Sequence, residues 1–286
     1  MRPLASDGER DRFPTRDEWT VTASVAPSRA LREPVLPAQA ARSGRPRWWV
    51  EVLLVAVLYG AYSLVRNSVG DVRAEAHRNA ETILRLEDSW QLAVERGLNA
   101  WVHTTDAVAA LVALHYATLH FLVTPAVLVW LYRRRPATYR TLSGALMATT
   151  ALALVGFFWL PTAPPRMLAH EGFVDVMSET ASWGWWPTSG APGSDAISNQ
   201  FAAMPSLHCA WAAWCGVTLV LLARRAWVRV LGALYPASTF FVVLGSGNHF
   251  LLDVVAGLLV LAAGAALAVG VRRWVRTPAG SPCPAV

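Results

Sequence analysis

Lysine is absent from the chain, so all 25 of its basic side chains are arginine. That composition fits a GC-rich, bacterial coding sequence. It also leaves guanidinium as the one strong cation for setting topology or binding anions. Charge of either sign is scarce. Only 15% of the 286 residues are charged, where a soluble domain of this size carries about 25%. With 54% hydrophobic residues, the chain is not an ordinary soluble domain, and a lipid environment is implied. Cysteine is nearly missing too. Cys209, Cys215 and Cys283 form no CxxC and no paired framework, which argues against disulfides and a zinc site. Cys209 and Cys215 read as small core residues of an apolar helix. No metal and no cofactor are expected. The net charge of +6 lies beside apolar segments, at Arg45 and Arg47, Arg133 to Arg135, Arg224 and Arg225, and Arg272, Arg273 and Arg276. That pattern suits membrane topology, and no nucleic-acid partner is expected.

Residues 1–44 are rich in Pro, Ala, Arg and acids without a hydrophobic period, and read as a disordered cytoplasmic tail. They contain no apolar stretch of signal-peptide type. Residues 45–275 read as one all-α membrane domain, and 276–286 as a short cytoplasmic tail. A spanning helix needs about 20 mostly apolar residues. Six segments qualify: Trp48–Val65, Ala107–Tyr132, Thr141–Leu160, Ala202–Ala223, Ala226–Gly245 and Phe250–Val271. Glu51 weakens the start of the first, and Pro236 interrupts the fifth, which spanning helices tolerate. Short cytoplasmic loops collect arginine. With six spans, the four arginine-rich segments fall on one side, the expected cytoplasm of a plasma-membrane protein with both termini inside. Residues 66–106, 161–201 and a short turn near Ser246–His249 fall outside. Within 75–102, Ile83, Leu86, Trp90, Val94, Leu98 and Trp101 make a helical stripe, with Glu81, Arg85, Asp88, Gln91 and Glu95 largely off it. Such an amphipathic helix can lie in the membrane interface, or pack as a lid on the spans.

Chemistry concentrates at the expected outer surface. His249 and Asp253 share a helix face at i, i+4. A carboxylate inside a spanning helix needs a partner, and one bonded to an imidazole nitrogen leaves the other nitrogen free to attack. Pro205 and Ser206 mark a helix start, whose free N–H groups attract phosphate, with His208 one turn in. The alternation of spans brings His208 and His249 to the same surface. Pro161, Pro164 and Pro165 end the third span and place Arg166, whose fork suits phosphate oxygens, at that surface as well. His115 and His120 are five apart, so they do not share a face. They read as packing or bonding within the bundle. His77, His103 and His170 read as solvated. Trp183, Trp185 and Trp186 read as interfacial anchors or a stacking surface for a sugar headgroup.

Taken together, Pro164-Pro165-Arg166, Pro205-Ser206-Leu207-His208 and His249-Phe250-Leu251-Leu252-Asp253 resemble the three motifs of the phosphatidic acid phosphatase type 2 superfamily. The PSLH and HFLLD forms resemble its inositol-phosphoceramide synthase-like, inositolphosphotransferase branch. The likeness covers roughly residues 48–271. It implies six membrane helices and a metal-independent two-step reaction. His249 would attack phosphorus, Asp253 would orient it and His208 would protonate the leaving oxygen. Arg166 and Ser206 would hold phosphate oxygens. The substrate would be a lipid phosphate or phospholipid drawn from the bilayer, and the acceptor water, a polyol or a lipid alcohol. The chain also departs from the pattern. Trp159 stands where the superfamily has a lysine, Leu207 where it has a glycine, and Val243 where it has an arginine. Fewer cations favour a singly charged phosphodiester over a phosphate monoester. Competing readings are a proton-coupled transporter using His249 and Asp253 as a relay, a haem-binding redox protein, and a non-catalytic lipid-binding member.

Overall fold

Prolines, caps and one sharp turn decide where the helices begin and end. The computed structural model describes residues 47–68, 72–186 and 200–276, all within the unit Ser43–Val286. The tails expected at 1–44 and from 277 lie outside the described residues. Nine α-helices occur among the described residues: α1 (Trp48–Ser68), α2 (Arg73–Ser89), α3 (Val94–His103), α4 (Asp106–Arg134), α5 (Pro136–Trp159), α6 (Val176–Glu179), α7 (Leu207–Leu222), α8 (Ala226–Gly245) and α9 (Leu251–Arg276). No strand occurs among these residues, and one isolated parallel bridge joins Thr162 to Ala202. Four helices are long and apolar enough to cross a membrane: Asp106–Arg134, Pro136–Trp159, Ala226–Gly245 and Leu251–Val275. The chain is thus an integral membrane protein of all-helical class. α7 is a shorter apolar helix, and Trp48–Leu58 is an apolar stretch at the start of α1.

Several boundaries differ from the sequence expectation, each for a local reason. α5 begins at Pro136 rather than Thr141, because proline fits the first helical turn. Arg135 alone then separates it from α4. α7 begins at Leu207 rather than Ala202, since Ser206 is its N-cap and accepts from Cys209 N at 3.4 Å. Its 16 residues rise about 24 Å. α8 runs through Pro236. Glu51 has a partner in α5, the Tyr139 hydroxyl, which donates at 2.9 Å.

The stripe read as one helix over 75–102 is two helices, α2 and α3. α2 ends in a Schellman turn, with Gln91 at φ 57, Leu92 N donating to Glu87 O at 2.8 Å and Gln91 N to Asp88 O at 3.1 Å. The polar side differs from the expectation as well. Leu86, Trp90, Val94 and Trp101 are exposed, whereas Glu87, Glu95 and Asn99 are fully buried. Glu95, placed on the polar face from the sequence, therefore points inward. Asn99 explains part of the inversion: its Nδ2 donates to Gly245 O at 3.0 Å and Val174 O at 3.1 Å, while its Oδ1 accepts from Val174 N at 2.8 Å.

α5 packs along α9 and α7 along α8. The arginine-bearing ends of the long helices meet. Arg272 near the end of α9 donates to Thr141 Oγ1 and Ala137 O at the start of α5. Arg135 donates to Leu222 O at the end of α7. The opposite end gathers the end of α5, the start of α7 and the α8–α9 turn, where the chemistry-bearing motifs lie.

Candidate active site

The three motif segments are tied to one another through their main chains. Beyond α5, Thr162 N donates to Phe201 O at 2.8 Å, and Ala203 N to Thr162 O at 3.2 Å. The proline-rich strap thus runs beside the segment that leads into α7. Asn79 Nδ2 on α2 donates to Pro161 O at 2.8 Å, anchoring the strap from the other side. Arg166 N donates to Gly247 O at 2.7 Å, joining the strap to the α8–α9 turn. That turn needs a glycine. Gly247 has φ +71, and a Cβ there would meet Asn99 Nδ2 at 3.0 Å and Val174 O at 3.1 Å. Ser206 N donates to Asp253 O at 3.0 Å, closing α7 onto α9.

The side chains follow from this frame. His249 Nδ1 lies 2.9 Å from Ala203 O and 3.3 Å from Asp253 Oδ2. A carbonyl only accepts, so Nδ1 carries the proton and Nε2 the lone pair. The tautomer is fixed first by the Ala203 carbonyl and second by Asp253. Asp253 Oδ2 also accepts from Phe250 N at 2.9 Å, capping the first turn of α9. His249 Nε2 and His208 Nε2 are buried and have no hydrogen-bond partner among the described residues. The two rings lie 5.9 Å apart between centroids.

His208 is held between two rings of α4. Tyr116 stacks on it at 4.4 Å, and His120 meets it edge-on at 4.3 Å. Only one of the two α4 histidines bonds across the bundle. His115 Nε2 lies 3.3 Å from Thr239 Oγ1, whereas His120 faces the candidate site. Sequence spacing could not show this, since His120 acquires its neighbour only through α4–α7 packing. Arg166 is buried, with Nε donating to Asn248 Oδ1 at 3.1 Å and Nη1 to Asp175 Oδ2 at 2.8 Å. Asn248 and Asp175 thus orient the guanidinium. Asp175 was not singled out from the sequence, and nothing in its local pattern would have marked it.

His208, His249, Arg166, Asn248, Tyr116 and His120 line one end of a cavity of about 570 Å³, within the range of small-molecule sites. Its remaining wall is mostly apolar and comes from α1, α4, α5 and α7, with Leu58, Leu128, Leu154 and Phe157 among the contributors. Leu207 and Trp211 line it as well. Ser206 does not. Its hydroxyl oxygen is buried as the α7 cap. Trp186, read as an interfacial anchor, is buried, and its indole donates to Met177 O at 2.9 Å. Trp183 and Trp185 are exposed. Among the described residues no group of three or more His, Cys, Asp or Glu side chains is placed to hold a metal ion.

No curated protein and no solved structure matches the chain. The sequence profile of the PAP2 superfamily matches residues 81–267. This span runs from α2 into α9 and includes every side chain placed around the His208–His249 pair. With 187 of 286 residues matched, the chain belongs to the PAP2 superfamily and to the phosphatase and phosphotransferase chemistry that membership implies.

Proposed function

We propose that the protein is a membrane phosphotransferase or phosphoesterase that works through a phosphohistidine on His249, with a lipid phosphate or phosphodiester as donor. The observation that carries this is the state of His249. Its Nδ1 is held by Ala203 O and Asp253, and its Nε2 is left without a partner at the wall of an apolar cavity. In the first step Nε2 forms the N–P bond as the P–O bond to the leaving group breaks, and His208 gives its proton to the departing oxygen. In the second, water or an alcohol attacks phosphorus, His208 takes the proton and the N–P bond breaks. Arg166 stabilises the phosphate oxygens as charge develops. Ser206 contributes through its position at the start of α7.

The donor is the singly charged diester in this reading. Arg166 is the one arginine lining the cavity among the described residues. Trp159, in the superfamily's lysine place, is 75% exposed, and Val243, in its arginine place, is buried in the core. Neither position brings a second cation to the phosphate. A phospho-headgroup transfer of the inositolphosphotransferase kind fits that charge. We also infer six spans, with α1 and α7 completing the four long helices. The arginine-rich ends then lie in the cytoplasm and the His208–His249 end faces outward. α2 and α3 lie at the outer interface, with Trp90 and Trp101 exposed there.

The test is metal-free incubation of detergent-purified wild type and His249→Ala with a lipid phosphate, and separately with phosphatidylinositol and a lipid alcohol. Headgroup transfer by the wild type alone is the expected result. Phosphate release by the wild type alone would make the protein a phosphatase, and equal turnover by both proteins would remove His249 as nucleophile.

A further inference from the structure

A carboxyl pair lies behind the His249–Asp253 dyad, and no step above uses it. Glu87 on α2 and Glu95 on α3 are fully buried. Glu87 Oε1 accepts from Leu252 N at 2.6 Å. That N–H belongs to the first turn of α9, where backbone donors lack helical partners. Phe250 N, in the same turn, is taken by Asp253. Glu87 Oε2 and both oxygens of Glu95 have no donor among the described groups. Three orphaned acceptors in one buried place are costly if both carboxyls are ionised. Asp253 adds a third negative group that acts on both.

The charged groups around the pair do not cancel it. Arg96 on α3 acts on Glu95, but its guanidinium is drawn away to Asp88 at 3.5 Å and Glu171 at 3.6 Å. On α9 the facing groups are Asp253 and, behind it, His249. A single proton between the two carboxyls supplies the missing donor and removes one charge. Burial, and then the pairing with Glu95, push Glu87 up to about 9 from 4.5. Burial raises Glu95 as well.

We propose that Glu87 and Glu95 share one proton and act as a single positioning unit that caps the first turn of α9, holding His249 and Asp253 in register with His208. The catalytic consequence rests on His249 being the nucleophile; the shared proton does not. The direction of the pH effect follows from the raised value. The folded chain keeps a proton that the unfolded chain loses, so the pair's contribution to stability is complete below about 4.5 and is lost as pH rises towards about 9.

Three full-length variants in detergent test this: Glu87→Gln, Glu95→Gln and Glu87→Ala. Each glutamine offers an N–H to the remaining carboxylate and needs no shared proton. The wild type should show an infrared carbonyl band of a protonated carboxyl at neutral pH, shifted in heavy water and lost in both glutamine variants. Its thermal midpoint should fall between roughly pH 5 and 9, and both glutamine variants should flatten that fall. Glu87→Ala, which removes the cap, should lower kcat about tenfold or more with KM little changed, while the glutamine variants retain most of the turnover. A band that persists in both glutamine variants, an unchanged pH slope in them, or a wild-type kcat in Glu87→Ala would each overturn the proposal. The band and the midpoints need no substrate, so they can fail independently of the phosphotransfer reading.

Discussion

Replacing Asp253 with asparagine separates two jobs that are usually inseparable in a His–Asp dyad. Where a carboxylate alone sets the imidazole tautomer, the amide replacement costs about four orders of magnitude in kcat. Here the nearer partner of His249 Nδ1 is the Ala203 carbonyl, at 2.9 Å against 3.3 Å for Asp253. The tautomer should therefore survive the change. In the proposed reaction, what is lost is the charge on the bond that steadies His249 as it becomes positive on binding phosphorus. Hydrogen bonds to charged groups contribute about 1.5–3 kcal/mol, which predicts a fall in kcat of roughly 10- to 150-fold. A stability loss comes with it. Asp253 Oδ2 receives both Phe250 N and His249 Nδ1, whereas Oδ1 has no partner. The asparagine carbonyl must take the first place, leaving its NH₂ buried without an acceptor, at a cost of about 1–3 kcal/mol. Rapid-quench measurement of phosphoenzyme formation, alongside a thermal melt, reads both quantities. A variant as inactive as His249→Ala would show that Asp253 alone sets the tautomer. A variant with the wild-type rate would show that its charge plays no part. Either result would refute the reasoning.

Arg166→Lys keeps the charge but loses the planar fork that meets Asn248 through Nε and Asp175 through Nη1. It should lower kcat/KM by at least about tenfold and stability by about 1–3 kcal/mol as buried Asn248 Oδ1 loses its donor, checked by steady-state kinetics and a thermal melt followed by circular dichroism. Gly257→Ala puts a Cβ 2.4 Å from Ser206 O, a backbone neighbour that cannot turn aside. A loss of about 1–3 kcal/mol is expected, with turnover falling too as α9 is pushed off the start of α7. Gly97→Ala is the contrasting case: its Cβ would meet nothing within 4 Å, and in a helix it should stabilise by about 0.5–1 kcal/mol. Thermal melts of the two variants should therefore move in opposite directions.

The long spans and the His208–His249 meeting were legible because both depend on regularities that act at long range in the sequence. Apolar length sets the helices, and the alternating direction of successive helices brings the starts of α7 and α9 to one end. His249 and Asp253 are also bonded as their i, i+4 spacing implies. The break of the amphipathic segment at Gln91 and the burial of Glu95 were not legible, because a period cannot see a partner. Leu86, Trp90 and Trp101 fit a stripe that faces away from the protein, while Glu87 and Asn99 are drawn inward by an orphan N–H of α9 and the last C=O of α8, and Glu95 is buried as well. Hydrophobic spacing reads burial as apolar, but here unsatisfied backbone groups attract polar side chains. His120 and Asp175 were missed for the related reason that their roles come from tertiary neighbours alone.

The motifs are far apart in sequence, and backbone hydrogen bonds tie them together. Thr162 pairs with Phe201 and Ala203, Arg166 N with Gly247 O, Ser206 N with Asp253 O, and His249 with the Ala203 carbonyl. None of these bonds depends on which side chain stands at Trp159, Leu207 or Val243, the places where the chain departs from the superfamily pattern. The frame can thus keep His208, His249 and Arg166 in register while the cations and small residues around the phosphate vary. On the proposed function, donor selectivity falls to the cavity wall, where Leu207 and Trp211 stand beside His208.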